Sequence, residues 1–348
     1  MTLDSFVYEA LPMRVVFGAG SIGHLPEEAR RLTLRRVLVL STPDQRELAE
    51  RASDLLGDTA VGVFDRARMH VPRETVIAAE GSAEKLGADG CVAIGGGSTI
   101  GLGKALALRL GLPVLAVPTT YAGSEMTPIW GITDNARKQT GRDRSVLPRT
   151  VVYDPELTLS LPVAISATSG LNAVAHAVEA LYAPDGSPVI TAMAEQGVRD
   201  LAAALPAIGK HPSDPTARTA ALRGAWLCGA CLGATAMGLH HKLCHVLGGK
   251  LDLPHAETHS IVLPHVAAFN LPAVPRARAA LARALHDDDP VAALKSLARG
   301  LGAPLRLSEL GVRESDLRAV IDEVLTGPYA NPRPVGRAEL EQLLAEAL

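Results

Sequence analysis

The sequence predicts an α/β domain over residues 1–156 followed by an all-α domain over residues 157–348. In the first part, short apolar runs alternate with segments of helical periodicity, a pattern typical of a doubly wound parallel sheet. In the second part, alanine and leucine recur at helical spacing, and proline or glycine interrupts them. We place the boundary near Pro155, where the pattern changes.

Composition excludes several classes of protein. With 348 residues, of which 47% are hydrophobic, the chain can bury a core in each of two domains. The formal net charge of -3 provides no field that would attract nucleic acid or an anionic membrane. No apolar run reaches the roughly 18 to 20 residues that span a bilayer, and the N-terminus does not resemble a signal peptide. We therefore expect a cytoplasmic protein that binds neither nucleic acid nor a membrane.

The four cysteines are too few for a disulfide framework in a chain of this size. Cys228 and Cys231 form a C-x-x-C pair, a spacing also found in redox proteins, but they lie in an alanine-rich run of helical pattern. Because cysteine is among the most buried residue types, we interpret both as small core residues.

The α/β half begins with a strand at residues 13–17, and the glycines of residues 18–23 then formally match G-x-G-x-x-G. In a dinucleotide-binding motif of this type, an acidic residue ends the next strand. The next strand, residues 37–40, ends instead at Ser41. We therefore interpret these glycines as a turn that leads into a helix.

The strongest cofactor signal follows the apolar run of residues 91–94, where a helix begins immediately after a glycine-rich segment. This segment consists of Gly95, Gly96, Gly97 and Ser98. Glycines let the backbone approach a pyrophosphate, and a helix N-terminus adds unpaired N–H groups and partial positive charge. We predict that these residues hold the phosphates of a dinucleotide; a tight turn without a ligand is the alternative.

Hydroxyl side chains extend this predicted site, because sheets of this type bind ligands at the carboxyl ends of their strands. They follow strands 37–40 and 113–118, and they are Ser41, Thr119, Thr120 and Ser124. The last three are candidates for the nicotinamide half of the dinucleotide. Residues 128–154 then predict a hairpin with a polar tip and a final strand.

The all-α half begins with a predicted helix at residues 166–182, in which Asn172 and His176 lie one turn apart on the same face. Further helices are predicted near residues 190–205, 215–250, 274–286, 290–300 and 314–326, and from Arg337. Prolines make the loop before the last helix irregular. Its residues Tyr329 and Arg333 are candidates for binding, although a plain linker fits the sequence equally well.

Six of the eleven histidines lie between Leu239 and His265. His241 and His245 are four residues apart in a helical pattern that we expect to end at residues 248–249, so their rings project from one face. A loop is expected to bring His255 to the same place. Two histidines with a third nearby predict a first-row metal site or a proton relay, and the residues alone leave both open.

Several segments resemble signatures of the iron-containing alcohol dehydrogenases, a family distantly related to glycerol dehydrogenase and dehydroquinate synthase. They are GGGSTIGLGKALAL (95–108), VYDPELTLSLP (152–162), GLNAVAHAVEA (170–180), HKLCH (241–245) and PHAETHSIVLPH (254–265). The resemblance keeps the family's order and covers nearly the whole chain. It implies a dehydroquinate synthase-like fold, with an N-terminal dinucleotide-binding domain and a C-terminal helical domain for substrate binding and catalysis.

In the metal-binding members of this family, an aspartate and three histidines hold a divalent ion. The resemblance gives His176, His241 and His255 as the histidine positions and puts Asn172 at the aspartate position. Loss of the only anionic ligand weakens a site for Fe²⁺ without excluding Zn²⁺. The departure resembles the maleylacetate reductase branch, whose members are metal-independent, so no metal is expected. Further segments that resemble this branch are STPDQ (41–45), PTTYAGSEMTPIWGIT (118–133) and ANPRP (330–334).

The resemblance to this branch implies reduction of the carbon–carbon double bond of maleylacetate, or of a close analogue, to give 3-oxoadipate in the catabolism of aromatic compounds. The cofactor would be NADH or NADPH, because the strand end at Ser41 lacks an acidic residue that would repel a 2′-phosphate. The implied catalytic residues are His241, His245 and Lys242. The residues expected to bind the small dianionic keto acid are Asn172, His176, His255, Tyr329 and Arg333. The family also implies a homodimer.

Three alternatives remain open at the level of sequence. The first is a metal-dependent alcohol or aldehyde dehydrogenase of the same family in which Asn172 is tolerated. The second is a cyclising lyase like dehydroquinate synthase, which would need a dense set of cationic residues near the histidines, where only Lys242 and Lys250 occur. The third is a nucleotide-binding protein without catalytic activity.

Overall fold

The computed structural model describes residues 6–11, 13–134 and 137–348. It divides into an N-terminal unit of residues 11–161 and a helical unit of residues 162–348, to which residues 6–10 also belong. The division follows Leu161, whereas the sequence pattern changes near Pro155. The first five residues, on which the signal-peptide prediction partly depends, and the predicted hairpin tip at residues 135–136 lie outside the described residues.

Six strands of the N-terminal unit form one parallel sheet, as the alternating pattern predicts. They are β1 (Arg14–Phe17), β2 (Val37–Leu40), β3 (Ala60–Phe64), β4 (Gly90–Gly95), β5 (Val114–Pro118) and β8 (Thr150–Tyr153). Their order across the sheet is β1-β8-β5-β4-β2-β3. Every residue of β2, β4 and β5 is buried, which explains why these strands are continuous apolar runs rather than alternating ones.

Four helices and one antiparallel hairpin complete this unit. The helices are α1 (Leu25–Arg31), α2 (Arg46–Leu56), α3 (Arg73–Leu86) and α4 (Gly97–Leu110). The hairpin consists of β6 (Ile129–Asp134) and β7 (Arg137–Arg142), between β5 and β8 as predicted.

The register of the sheet brings three predicted cofactor segments to one edge. Leu40 of β2 is paired with Ala93 of β4, and Gly95 of β4 is paired with Pro118 of β5. Because the strands are parallel, the residues that follow them, including Ser41 and Thr119, lie at the same carboxyl edge.

The glycine turn after β1 is closed by a protein carboxylate. Asp154 accepts hydrogen bonds from the backbone N–H groups of Gly20 and Ile22, both at 3.1 Å. Gly20 adopts the left-handed conformation with φ of 73°, which a glycine adopts without strain. A carboxylate therefore satisfies the amides that a phosphate would need, and the structure confirms that residues 18–23 form a turn.

The helical unit contains nine helices within the described residues. They are α5 (Val163–Ala180), α6 (Pro188–Lys210), α7 (Pro215–Ala234), α8 (Leu239–Leu251), α9 (His255–Asn270), α10 (Pro275–Leu285), α11 (Pro290–Gly300), α12 (Glu314–Val324) and α13 (Arg337–Ala347). A hydrophobic core joins α8, α9, α12 and α13. No single described helix has the length and apolar composition to cross a bilayer; α7 and α8 meet that test only as a pair bent by 95°.

Three local predictions in the histidine region are wrong. The helix predicted over residues 215–250 is broken between α7 and α8, because carboxylates accept the backbone N–H groups of Ala236 and Gly238. In addition, α8 continues past Gly248 and Gly249 to Leu251. Finally, His255 was expected in a loop, but it is the first residue of α9.

The two cysteines of the C-x-x-C pair are buried free thiols on α7, as predicted. Cys228 lies where α6 and α7 approach closely, since a Cβ on Gly197 would be 2.7 Å from the Cys228 sulfur. The opposing Gly224 has equally little space, because its Cβ would lie 2.9 Å from the Gly197 carbonyl oxygen. Small residues are thus required for the packing of these helices.

Candidate active site

The carboxyl edge of the sheet forms a glycine-lined cradle at the start of α4. Gly95 has a φ of +150°, and a Cβ there would lie 2.6 Å from Thr99 Oγ1 and 2.7 Å from Gln45 Oε1. Gly96 is the N-cap of α4, so the first turn of the helix directs its N–H groups to this edge. The predicted residues 95–98 therefore lie together, with no space for larger side chains at Gly95.

Hydroxyl groups surround this cradle. Thr119 is held in place because its N–H donates to the Gly95 carbonyl at 3.1 Å and its Oγ1 accepts from Gln45 Nε2 at 2.8 Å. The buried Ser41 Oγ and Thr99 Oγ1 have no hydrogen-bond partner in the structure. Buried hydroxyls of this kind need a partner. The cradle and these hydroxyls fit a dinucleotide; Gln45 and Thr99 were not predicted.

Ser124 lies at the same edge and is held by a buried lysine. Lys104 of α4 donates to the Ser124 carbonyl at 2.5 Å and to Thr127 Oγ1 at 2.9 Å. Burial lowers the pKa of Lys104 to about 7, against the opposing effect of Glu125. Burial disfavours the charged form of Glu125 as well, which for an acid means a raised pKa; its carboxylate accepts a hydrogen bond from Tyr153 at 2.7 Å. Lys104 thus positions the loop that carries Ser124.

In the helical unit, helices α5, α8 and α9 bring five histidines into one cluster. We call these residues the histidine cluster: His176, His241, His245, His255 and His259. The ring centroids of His176 and His241 are 5.2 Å apart, and those of His255 and His259 are 4.3 Å apart. Asn172, one turn before His176 on α5, is buried. The structure therefore brings together the three predicted histidines of the family's metal set, and adds His259.

A buried carboxylate that was not predicted joins this cluster. Glu179 of α5 accepts a hydrogen bond of 2.6 Å from Nδ1 of His241, and it also accepts the N–H groups of Gly238 and His240 at the start of α8. Burial by itself raises the pKa of Glu179, but the hydrogen bond and the charge of His241 bring it down to about 2. Glu179 is therefore an anion inside the helical unit.

A sixth histidine, His240, is paired with His259 of the cluster. His240 Nε2 and His259 Nδ1 are 2.9 Å apart, and the Cys244 sulfur is 3.7 Å from His240 Nε2. Burial lowers the pKa of His240 to about 3 and that of His259 well below its usual value. Both rings are consequently neutral at pH 7 and share one hydrogen bond, while His240 Nδ1 and His259 Nε2 are buried without a hydrogen-bond partner among the described residues. His176 is also held neutral, because burial lowers its pKa.

Three further predicted residues lie outside the histidine cluster. Lys242 donates to the carbonyl of Thr326 at 3.1 Å. The guanidinium of Arg333 stacks 4.0 Å from the centroid of the Phe269 ring and donates to the Phe269 carbonyl at 3.0 Å. Tyr329 lies half-buried in the same loop. Both cations are thus engaged with protein carbonyls.

The loop of residues 329–334 is fixed next to the start of α8. Asn270 and Asn331 exchange two hydrogen bonds of 2.8 and 2.9 Å. A Cβ on Gly238 would lie 2.6 Å from the Ala330 carbonyl oxygen and 3.1 Å from Glu179 Oε1. Because Gly238 has no side chain, the loop of residues 329–334, the Glu179 carboxylate and the start of α8 can pack together at this point.

The positions that hold a divalent ion in metal-binding members of the family do not supply the same donors here. His176, His241 and His255 provide imidazole nitrogens, Asn172 replaces the anionic oxygen, and Glu179 is occupied by His241 and backbone N–H groups. Ferrous sites of this kind combine histidines with a carboxylate. The donor set does not fit that ion, so no chemical step below passes through a metal.

Two sequence models cover almost the whole chain. The model described as "Iron-containing alcohol dehydrogenase" matches residues 12–155, and that of the "Fe-containing alcohol dehydrogenase family, C-terminal" matches residues 166–348. The chain belongs to the iron-containing alcohol dehydrogenase family. It is therefore an oxidoreductase, and this family uses a nicotinamide nucleotide.

Within this family, the chain groups with the maleylacetate reductases. It is 54% identical over 345 residues to a maleylacetate reductase of Burkholderia cepacia, covering 99% of this chain and 98% of the relative. The crystal structure of a maleylacetate reductase from Agrobacterium tumefaciens is similar with a TM-score of 0.95, at 51% identity and with 99% and 98% of the two chains covered. The crystal structure of the maleylacetate reductase from Rhizobium sp. strain MTP-10005 is equally similar, with a TM-score of 0.95, 51% identity and 99% and 98% of the two chains covered. The predicted fold and family branch are confirmed.

Proposed function

We propose that this oxidoreductase reduces the carbon–carbon double bond of maleylacetate, or of a close analogue, to give 3-oxoadipate in the catabolism of aromatic compounds. The observation that carries the proposal is the histidine cluster, of which His176, His241 and His259 are buried, with Asn172 in place of an anionic ligand, in a chain 54% identical to proteins named maleylacetate reductase. A site of imidazoles and an amide suits a dianionic substrate, because a further carboxylate facing it would repel it.

We propose that residues 95–98, Ser41, Thr119, Thr120 and Ser124 bind the nicotinamide nucleotide. When bound, this nucleotide supplies the hydride. The buried hydroxyl of Ser41 stands at the end of β2, where an acidic side chain would repel a 2′-phosphate. Either NADH or NADPH should therefore serve as the reductant. Comparable NADH and NADPH oxidation rates are expected; essentially no reaction with one of them would contradict this assignment.

The residues of the helical unit then stabilise charge and deliver a proton. As hydride adds to the alkene carbon farther from the ketone, the π electrons move toward the ketone and form an enolate. Preorganised donors are needed for this charge. We assign this role to His241 and His245, with Lys242 nearby, and one histidine supplies the proton that converts the enolate to product. The net reaction consumes one hydride and one proton.

Binding of the two substrate carboxylates is assigned to Asn172, His176, His255, Tyr329 and Arg333. His176 and His255 belong to the histidine cluster, Asn172 lies one turn before His176 on α5, and Tyr329 and Arg333 belong to the loop that meets the start of α8 at Gly238. For Arg333 the assignment requires the guanidinium to leave the Phe269 carbonyl or to share its remaining N–H groups.

The proposed function is tested by following NADH oxidation with maleylacetate, with and without EDTA, together with elemental analysis of protein purified without chelator. Rapid turnover that EDTA does not change, in protein without stoichiometric metal, is expected. Stoichiometric iron or zinc that turnover requires would instead establish the metal-dependent dehydrogenase. Activity on simple aldehydes but not on the enone would also reject the proposal.

Asn172 provides a direct test of the site's chemistry. Replacing it by aspartate restores an anionic oxygen beside three imidazoles, so Asn172→Asp should bind Zn²⁺ or Fe²⁺ more tightly. The same charge should repel the dianion and lower kcat/KM for maleylacetate. Unchanged reduction together with unchanged metal affinity would count against this assignment, and Asn172→Ala separates the effect of charge from loss of the amide.

A further inference from the structure

Glu179 makes more directed contacts than a carboxylate that only fills space in a helix. It is the single Asp, Glu, Lys or Arg residue in α5, and it is 1% exposed. One oxygen accepts from the N–H of His240 at 2.7 Å, and the other accepts from the N–H of Gly238 at 3.0 Å and from His241 Nδ1 at 2.6 Å. It thus caps α8 and contacts a histidine of the cluster at once.

These contacts determine where the hydrogen of His241 lies. Backbone N–H groups only donate, so both oxygens of Glu179 are acceptors, and the imidazole nitrogen beside them has to carry hydrogen. In the neutral ring the other nitrogen, Nε2, then carries the lone pair. Nε2 of His241 is buried and has no hydrogen-bond partner in the structure. An orphaned buried nitrogen of this kind indicates that a ligand atom or a proton belongs there.

We propose that Glu179 is a positioning residue, which holds His241 with Nδ1–H on the carboxylate and reserves Nε2 as the atom that exchanges a proton with the substrate. When a proton is delivered, Nε2 carries it before transfer and the lone pair after it, while the Nδ1–H stays on the carboxylate. The N–H bond at Nε2 breaks, and a bond from hydrogen to the enolate forms. The catalytic part of this inference rests on the proposed function, whereas the tautomer does not.

Other histidines nearby are less suited to this role. His240 and His259 also have a buried nitrogen without a partner among the described residues, but the other nitrogen of each ring faces its histidine partner at 2.9 Å rather than a carboxylate. His176 is fully buried and neutral because of that burial. His241 is therefore the ring in this set whose tautomer a buried carboxylate fixes.

The first test measures the tautomer directly in the unaltered protein. The two ring nitrogens of each histidine give separate ¹⁵N signals, and the signals absent from His241→Asn identify those of His241. Hydrogen on Nδ1, in the neutral or the doubly protonated ring, is expected near pH 7. A neutral ring with hydrogen on Nε2 alone would overturn the proposal without any appeal to activity.

The second test replaces the carboxylate by a neutral amide. In Glu179→Gln, the amide oxygen is expected to stay on the backbone N–H groups, so the amide NH₂ faces Nδ1 of His241 and moves the hydrogen to Nε2. We expect the tautomer to switch and kcat to fall by about 100-fold or more, with KM changed by less than about threefold. Glu179→Asp retains the anion and should retain the tautomer and recover most of kcat.

A matched control is Asp200→Asn, which removes another buried carboxylate from the same unit. Asp200 pairs with Arg223 at 2.7 Å, so removal of its charge affects packing only. The tautomer of His241 should stay unchanged, and kcat should change by less than about twofold. If Glu179→Gln also leaves the tautomer unchanged, or lowers kcat only as far as it lowers thermal stability, the carboxylate is structural.

The two proposals fail in different ways. A switched ¹⁵N tautomer in Glu179→Gln, combined with no maleylacetate reduction by the unaltered enzyme, rejects the proposed substrate and retains the positioning role. Normal reduction of maleylacetate, combined with an unswitched tautomer and normal kcat in Glu179→Gln, rejects the positioning role and retains the substrate.

Discussion

The glycine cradle of the N-terminal unit and the histidine cluster of the helical unit are built in opposite ways. The cradle uses consecutive residues, Gly95 to Ser98, and its working groups are backbone N–H groups and hydroxyls. The histidine cluster takes side chains from three helices, and its contacts link residues about 60 positions apart, as between Glu179 and His241. A backbone site of this kind is a property of a short segment, whereas a side-chain site is a property of packing.

The two regions also manage charge differently. Around the cradle, the buried ionisable side chains are Lys104 on α4 and Glu125 in the loop that Lys104 holds, and the cradle itself has no ionisable side chain. In the cluster, the buried anion Glu179 contacts a proposed catalytic ring directly. Changes in the cradle should therefore alter nucleotide affinity, and changes in the cluster should alter the chemical step. The following variants test that separation, beginning with the largest expected effect.

Replacing the ring that contacts Glu179 should abolish most of the chemistry. We expect His241→Asn to lower kcat for NADH oxidation by about 10² to 10⁴, the usual contribution of a general acid or base. The Kd for NADH, measured by fluorescence, should stay within about threefold. His265→Asn on α9, outside the cluster, is the matched control and should retain kcat. A loss of less than tenfold in His241→Asn would place the proton donor elsewhere.

Filling the cradle should affect binding instead. In Gly95→Ala the Cβ would meet Thr99 Oγ1 at 2.6 Å, and the φ of +150° is strained for alanine. We expect the Kd for NADH to rise by about 100-fold, equivalent to about 3 kcal/mol. Gly111→Ala also imposes a positive φ, of +70°, but nothing lies within 4 Å of its Cβ, so it reports strain without crowding. Similar Kd values for the two variants would show that the cradle does not contact the nucleotide.

The buried lysine predicts a pH dependence of stability. Burial lowers the pKa of Lys104 from 10.5 to about 7, so between these values the unfolded chain holds a proton that the folded protein has lost. Stability therefore rises with pH across this window. Relative to Lys104→Met, the free energy of unfolding of the unaltered protein should increase by about 2 kcal/mol from pH 7 to pH 9.

Urea unfolding at the two pH values measures this difference, with Lys85→Met on α3 as the exposed control. Glu125 and Tyr153 face the same buried region, and burial raises the pKa of each. A slope equal to that of Lys104→Met would mean that Lys104 stays charged in the folded protein.

The smallest effect is expected at Arg333. Because its guanidinium is stacked on Phe269 and bonded to a carbonyl, Arg333→Gln should raise KM for maleylacetate by less than about tenfold and lower stability by about 1 kcal/mol. Steady-state kinetics and thermal unfolding measure the two effects. A 100-fold rise in KM without loss of stability would show instead that the guanidinium binds a substrate carboxylate.

Features that depend on neighbouring residues could be predicted from the sequence. The parallel sheet, the hairpin between β5 and β8 and the cradle all follow from apolar runs, glycines and prolines within short segments. The turn at residues 18–23 was also predictable, although its partner Asp154, more than 130 residues away, was not. Local periodicity carries no information about which distant carboxylate closes a turn.

The histidine cluster was predicted incompletely, because the start of helix α9 was not recognised. Placing His255 in a loop hid the relation of His255 and His259, which lie one turn apart on α9. Glu179 had a signal of its own, since a lone carboxylate in an apolar helix has to find a partner when buried. What no pattern supplied was the position of that partner, because it depends on the break between α7 and α8.

The four buried cysteines can report which part of the enzyme unfolds, because each thiol becomes reactive only when it is exposed. Burial raises the pKa of every one of these thiols, and thiols react as thiolates, so an alkylating reagent should leave all four untouched in the native protein. Cys91 lies in the N-terminal unit, and Cys228, Cys231 and Cys244 lie in the helical unit. Timed labelling followed by mass spectrometry would therefore show which half of an ageing or heated sample opens first.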